Sequence, residues 1–154
     1  MACFSHFETA PSDDTPALLL PIYTNYANDL YSCGRVIEAL RIYRKALSIT
    51  DSFGMAIANY GRALGFYADM VNDPGHYREL HCHAYQALKK ALEIKDANMH
   101  AEAVAVFEKQ IENYEKRFNH NILSAPIIYP EHDLGTYDEK AYRSWCLYYF
   151  SSKI

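Results

Sequence analysis

Glycine is sparse in this chain, six of 154 residues, and none of the fingerprints built on it is present: no P-loop, no dinucleotide-binding G-x-G-x-x-G, no G-x-S-x-G elbow. Nucleotide and serine-hydrolase chemistry of those kinds is excluded. No apolar run approaches the roughly 20 residues that span a bilayer, and no basic-then-apolar segment leads to a small-residue cleavage site. A protein that is neither membrane-embedded nor secreted is expected. The four cysteines (Cys3, Cys33, Cys82, Cys146) are scattered, without a C-x-x-C pair or a dense framework. They look like thiols of a reducing compartment, and the cytoplasm is the simplest location. Neither sign of charge dominates, with 15 basic and 19 acidic residues and a net charge of −4. Nothing global calls for nucleic acid or an anionic membrane as partner.

What the chain does have is half its residues apolar and a length that suits one domain with a real core. Its start is different. Residues 1–17 contain Glu8, Asp13, Asp14 and Pro11 among small side chains and lack an apolar period through most of their length, so a flexible acidic tether is expected there.

Helical periodicity then takes over. Apolar residues recur through Ile22, Tyr26, Leu30 and Cys33, and after Gly34 through Val36, Leu40, Tyr43 and Leu47. Two amphipathic helices joined by almost nothing make a hairpin, with Gly34 at the reversal because glycine takes left-handed dihedrals without steric cost. Ala27, Ala39 and Ala46 lie where a missing side chain admits a neighbouring helix, and Tyr23, Leu30 and Tyr43 are the bulk that fills the gaps.

Advancing 34 residues from Tyr23, Tyr26 and Ala27 reaches Ile57, Tyr60 and Gly61, so "IANYGRAL" echoes "YTNYANDL". The matching second helix is "HAYQALKKALEI", where Ala84, Leu88 and Ala91 repeat Ala39, Tyr43 and Ala46. Between the two lies an insertion of about eleven residues, "ADMVNDPGHYR", whose Asp73-Pro74-Gly75 predicts a stop and a turn, hence an elaborated loop. Further on, Ala103, Phe107, Ile111, Tyr114 and Phe118 share one face of a strong helix, either a third repeat's first helix or a cap. A helical domain over residues 18–120 is expected on this basis. Residues 121–154, with Pro126, Pro130 and Gly135, are expected to be an irregular crossing segment ending in a short helix with Asp138 as N-cap.

On these residues the chain resembles a tetratricopeptide repeat (TPR) protein. Ala27, Leu30, Ala39, Tyr43 and Ala46 fall on that family's small and large positions in order, with Gly34 in its inter-helix turn. The second unit departs from the pattern by its insertion and by lacking the turn glycine, and Asp51 stands where the family places a closing proline. The resemblance implies an all-α fold, antiparallel hairpins stacked as a short right-handed superhelix with a C-terminal capping helix, and a non-enzymatic scaffold that binds a protein or peptide segment in its concave groove. More weakly, through "YRSWCLYYF", the chain is similar to the amino-terminal repeat region ahead of bacterial HEPN domains. That implies an alternative, the sensor or regulatory part of a ribonuclease involved in RNA cleavage or defence.

Stacked hairpins present the first helix of each unit to the groove. The peptide-binding candidates are therefore Asn25, Asn28, Tyr31, Asn59, Arg62 and Phe66, a mixture of amides, a cation and aromatic faces suited to a peptide backbone. Thr24 and Ala58 are expected to line the same surface; Thr24 stands where carboxylate-clamp members of the family carry a lysine, so a full clamp is not expected. "HYRELHCH" gathers His76, His81, Cys82 and His83, but His81 and His83 point about 200° apart on a helix and cannot share one ion. No metal or cofactor is expected. Arg78 and His83 form an R-x4-H pair resembling the HEPN ribonuclease motif, in which the histidine assists attack and the arginine steadies the phosphate. They are the only catalytic candidates, and no catalytic role is assigned. Arg35, Arg41, Arg44 and Lys45, with Glu38 among them, are expected to be a solvated flank. Trp145, Leu147, Tyr148, Tyr149 and Phe150 near the C-terminus need a covering surface: the repeats themselves, a second copy in a homo-oligomer, or a further domain of which this aromatic helix is the start.

Overall fold

The structure is a computed structural model and describes residues 15–71, 74–94 and 99–124. Six helices and no strand occur among the described residues: α1 (Thr15–Ser32), α2 (Val36–Ile49), α3 (Gly54–Ala68), α4 (Pro74–Glu93), α5 (Ala101–Arg117) and the single turn α6 (His120–Leu123). The described chain is all-α, as its periodicity requires. Helix α1 already begins at Thr15, inside the segment expected to be a tether. Residues 1–14 and 125–154, including the expected crossing segment and aromatic helix, lie outside the described residues. None of the described helices is long and apolar enough to cross a membrane.

The first corner is set by one residue. Gly34 has a φ of +77°, in the left-handed region, and the backbone closes around it: the Gly34 amide donates to the Tyr31 carbonyl at 3.0 Å and the Arg35 amide to the Leu30 carbonyl at 2.9 Å. This pair of bonds is the Schellman arrangement, which satisfies the last carbonyls of a helix while turning the chain. With only three residues between them, α1 and α2 must run back antiparallel, and they pack along their length.

The alanines do what their spacing predicts. Ala27, Ala39, Ala46, Ala84 and Ala91 are all fully buried, and Leu30, Tyr43 and Leu88 fill the space around them. Helix α3 packs on both α2 and α4, so the two hairpins share one core built from Leu30, Val36, Leu40, Tyr43, Leu64, Tyr67 and Leu80. A methyl group at Gly61 would sit 3.0 Å from the Ala84 carbonyl and 3.1 Å from the Ala87 Cβ. The glycine that replaces Ala27 in the second unit thus lets α3 and α4 approach more closely than alanine would.

Two expectations about α1 and α4 are corrected. The stripe through Ile22, Tyr26, Leu30 and Cys33 is not the buried face of α1: Ile22, Tyr26 and Cys33 are exposed, and burial follows Thr24, Ala27 and Leu30 instead. Both stripes have helical spacing, so periodicity alone does not choose between adjacent faces. The expected elaborated loop is also largely helix, because α4 starts at Pro74 and runs for 20 residues. Proline at a first helical position has a suitable φ and lacks only an amide hydrogen that would go unpaired there. Pro74 opens a helix rather than a turn.

Helix α5 lays Phe107, 1 % exposed, against Ile57 and Ala58 of α3 and Leu88 and Ala91 of α4. Its Tyr114 enters the space left by Gly65, where a Cβ would collide with the phenol oxygen. After α5 the chain, expected to be irregular from residue 121, makes α6 instead. Asn119 caps it by accepting from the Asn121 amide at 3.0 Å, Leu123 is fully buried, and the Cys82 thiol donates to the Ile122 carbonyl at 2.9 Å. Burial raises the pKa of that thiol, so it stays protonated and able to donate.

Candidate functional site

All six peptide-binding candidates line one row of clefts. The first, about 370 Å³, includes Asn25, Asn28, Phe53, Met55 and His100. The second, about 340 Å³, shares Asn28 and Met55 with it and adds Tyr31, Asn59, Arg62, Val106 and Phe107. The third, about 240 Å³, shares Tyr31 and Arg62 and adds Phe66, Asp69, His81, Gln110, Tyr114 and Arg117. Helices α1 and α3 supply much of the lining, with His100, the N-cap of α5, at the first cleft and α5 itself at the second and third.

Within it the candidates differ in freedom. Asn25 and Phe66 are exposed, Phe66 at 44 %, whereas Asn59 is buried. The Asn28 side-chain oxygen accepts from the Tyr43 hydroxyl at 2.5 Å, a bond that ties α1 to α2 and commits half of this amide to the fold. Burial raises the Tyr43 pKa, so this donor remains a phenol at any physiological pH. Tyr31 packs edge-on against Phe66 with ring centroids 5.9 Å apart, and the Arg62 guanidinium lies 6.0 Å from the Tyr31 centroid. Cation and aromatic edges are thereby held as one unit bridging the two hairpins.

Of two further residues expected on this surface, Thr24 borders the first cleft and Ala58 lines none of the three. Thr24 is buried and its hydroxyl donates to the Leu20 carbonyl of its own helix at 2.7 Å. Ala58 is fully buried in the contact with α4 and α5, because the third layer covers the face on which it lies.

The opposite wall was not legible as a site in the sequence. Gln110, Asn113 and Arg117, three, four and seven residues apart along α5, form a polar edge beside the apolar face that carries Phe107 and Tyr114. That edge was the available signal. Arg117 donates to Asp69 Oδ1 at 2.8 Å and to the Tyr77 hydroxyl at 2.6 Å, which raises its pKa through the Asp69 bond first and joins α5 to the α3–α4 corner.

Behind it sits His81, 1 % exposed, packed on the rings of Tyr77, Tyr114 and Phe118 at centroid distances of 4.5, 5.6 and 4.9 Å. Its Nδ1 is 3.4 Å from the Tyr114 hydroxyl, and its Nε2 is 3.2 Å from Asp69 Oδ1 but off the direction of a hydrogen bond. Burial lowers the His81 pKa; Asp69 pulls it upward and Arg117 downward, and burial wins. The ring is therefore neutral near pH 7.

Elsewhere, no three His, Cys, Asp or Glu side chains are grouped to hold a metal ion among the described residues. Arg78 is exposed and His83 half-buried on α4, and five residues along a helix separate them by about 140° of rotation. The two do not converge on one point. At the start of α2, the N-cap residue Arg35 forks onto Glu38, with Nε donating to Oε1 at 2.8 Å, an exposed pair one turn long. Comparison with protein-family models, with curated proteins and with solved structures finds no match.

Proposed function

We propose that this chain is a non-enzymatic helical-repeat scaffold, arranged in the TPR manner, that holds an extended protein or peptide segment along the row of clefts between α1/α3 and α5. One observation supports it above the others: residues from two sequence units, spaced along two helices, line a continuous row whose walls alternate aromatic, amide and cationic groups. An extended segment offers alternating carbonyls, amides and side chains, and amides such as Asn25 and Asn59 can both donate to and accept from it.

The test uses the full chain, immobilised, and a random decapeptide library with both termini blocked. Enrichment of particular peptides, lost in Asn25→Ala and Phe66→Ala variants whose melting temperatures stay near that of the parent, supports the reading. No enrichment above a heat-denatured control overturns it. Cleavage of labelled RNA by the parent, abolished by His83→Ala, would overturn it in favour of a ribonuclease.

A further inference from the structure

Two buried side-chain atoms of residues that line the 240 Å³ cleft, Arg62 Nε and Gln110 Oε1, have no hydrogen-bond partner among the described residues, and a third, His81 Nε2, has only the poorly directed Asp69 carboxylate at 3.2 Å. A buried polar atom without a partner has given up its hydration for nothing, and native structures carry few of them. Their convergence on one cleft, from α3, α4 and α5, marks it as a place that a polar group completes.

The charges say which polar group. The cleft contains two guanidinium groups, Arg62 and Arg117, and one carboxylate, Asp69, which is already bound by Arg117. His81 is neutral, and Tyr31, Tyr114, Gln110 and Asn113 carry no charge. Among the described residues no carboxylate pairs with Arg62, whose guanidinium is steadied by the Tyr31 ring. One positive charge is therefore left over, partly withdrawn from solvent, where a charge-assisted hydrogen bond is strong. The Gln110 amide presents either its oxygen or its nitrogen by a half-turn, so it can donate to an anion at the same point.

We infer that this cleft is the specificity pocket of the groove and receives the carboxylate of an aspartate or glutamate side chain from the bound peptide, with Arg62 as its counter-ion and Gln110 as a second donor. The inference rests on the peptide-binding reading and adds the chemistry of the ligand. A side chain inside the segment, rather than its terminus, is meant: the groove continues past Arg62 on both sides, to Asn59 in one direction and Phe66 in the other.

The same blocked decapeptide library decides it, since blocked termini leave side chains as the sole carboxylates. Selected peptides should carry Asp or Glu at one fixed position. Replacing that residue by Asn or Gln should weaken binding to the parent chain by about tenfold or more. Arg62→Gln should abolish the discrimination while other peptide contacts persist, Arg62→Lys should retain part of it, and added salt should reduce it. Selection of peptides with no acidic position, or an acid preference that survives Arg62→Gln, overturns the inference and leaves the groove reading intact. Absence of any selected peptide overturns both. If Arg62→Gln does not fold, the acid-to-amide comparison on the parent chain and on Arg62→Lys carries the decision.

Discussion

The two hairpins are built from the same register of small and large residues and are finished differently. In the first, a three-residue corner at Gly34 joins helices whose sockets are alanines, and the outer side of α1 is left open, with Leu18, Ile22 and Tyr26 all at least half exposed. In the second, the socket residues along α3 are Gly61 and Gly65, α4 is longer, and α5 and α6 pack on α4. Losing a methyl group at Gly61 and Gly65 gives room for Ala84 and for the Tyr114 phenol respectively.

If the third layer is integral to the second hairpin, its anchor should be the most costly residue to remove. Phe107→Ala should destabilise the chain by about 3–4 kcal/mol in urea unfolding, as buried aromatic truncations do. Hydrogen exchange would sharpen the comparison. Faster exchange confined to α3, α4 and α5 would mean that the hairpins are separable, whereas equal loss of protection in α2 would mean one cooperative unit.

Gly65→Ala comes next, at about 1–3 kcal/mol, because the added methyl meets the Tyr114 hydroxyl, a buried contact held by packing on several sides. Combining it with Tyr114→Phe removes the colliding oxygen. The double variant should recover part of the loss, a non-additivity that an unrelated effect of alanine in α3 would not produce. In the first hairpin, by contrast, the methyl group added by Gly34→Ala meets no neighbour and should cost about 1 kcal/mol purely through the positive φ. A larger penalty there would mean that the corner, not the sockets, dominates that hairpin.

The smallest effect expected is on acid stability. His81 has a folded-state pKa below its ordinary value of about 6.5, so the unfolded chain binds more protons in the interval between the two. Stability from this residue is therefore full above about pH 6.5 and declines as pH falls through that interval. The groups facing the ring from each packed helix are Tyr77, Asp69, Tyr114 and Arg117. His81→Phe should flatten this part of the stability–pH profile, and an unchanged profile would place the acid sensitivity elsewhere.

Much of this architecture is legible in the sequence because it depends on short-range periodicity. Alanine spacing along α2 and α4, the glycine at the first corner, and the apolar face of α5 each come from 3.6 residues per turn and the sterics of one residue type. Asp73-Pro74-Gly75 misleads because proline serves equally well in a turn and at a helix start, and the helical spacing of Tyr77, His81 and Tyr85 beyond it decides between them. On α1, two adjacent stripes have the right spacing, and only the position of α2 and α3 selects the one through Ala27.

By itself, then, the sequence determined the helical class, the hairpin corner, the small-residue contacts, and which residues of α1 and α3 could share a surface. Tertiary structure alone decided that α5 would wall that surface, that His81 would be buried beside Asp69, and that no carboxylate among the described residues would pair with Arg62. The physical reason is distance along the chain. Helix periodicity is fixed by bonds four residues apart, but the surroundings of Arg62 come from residues up to 55 positions away, such as Arg117, and no local pattern encodes which of them meet.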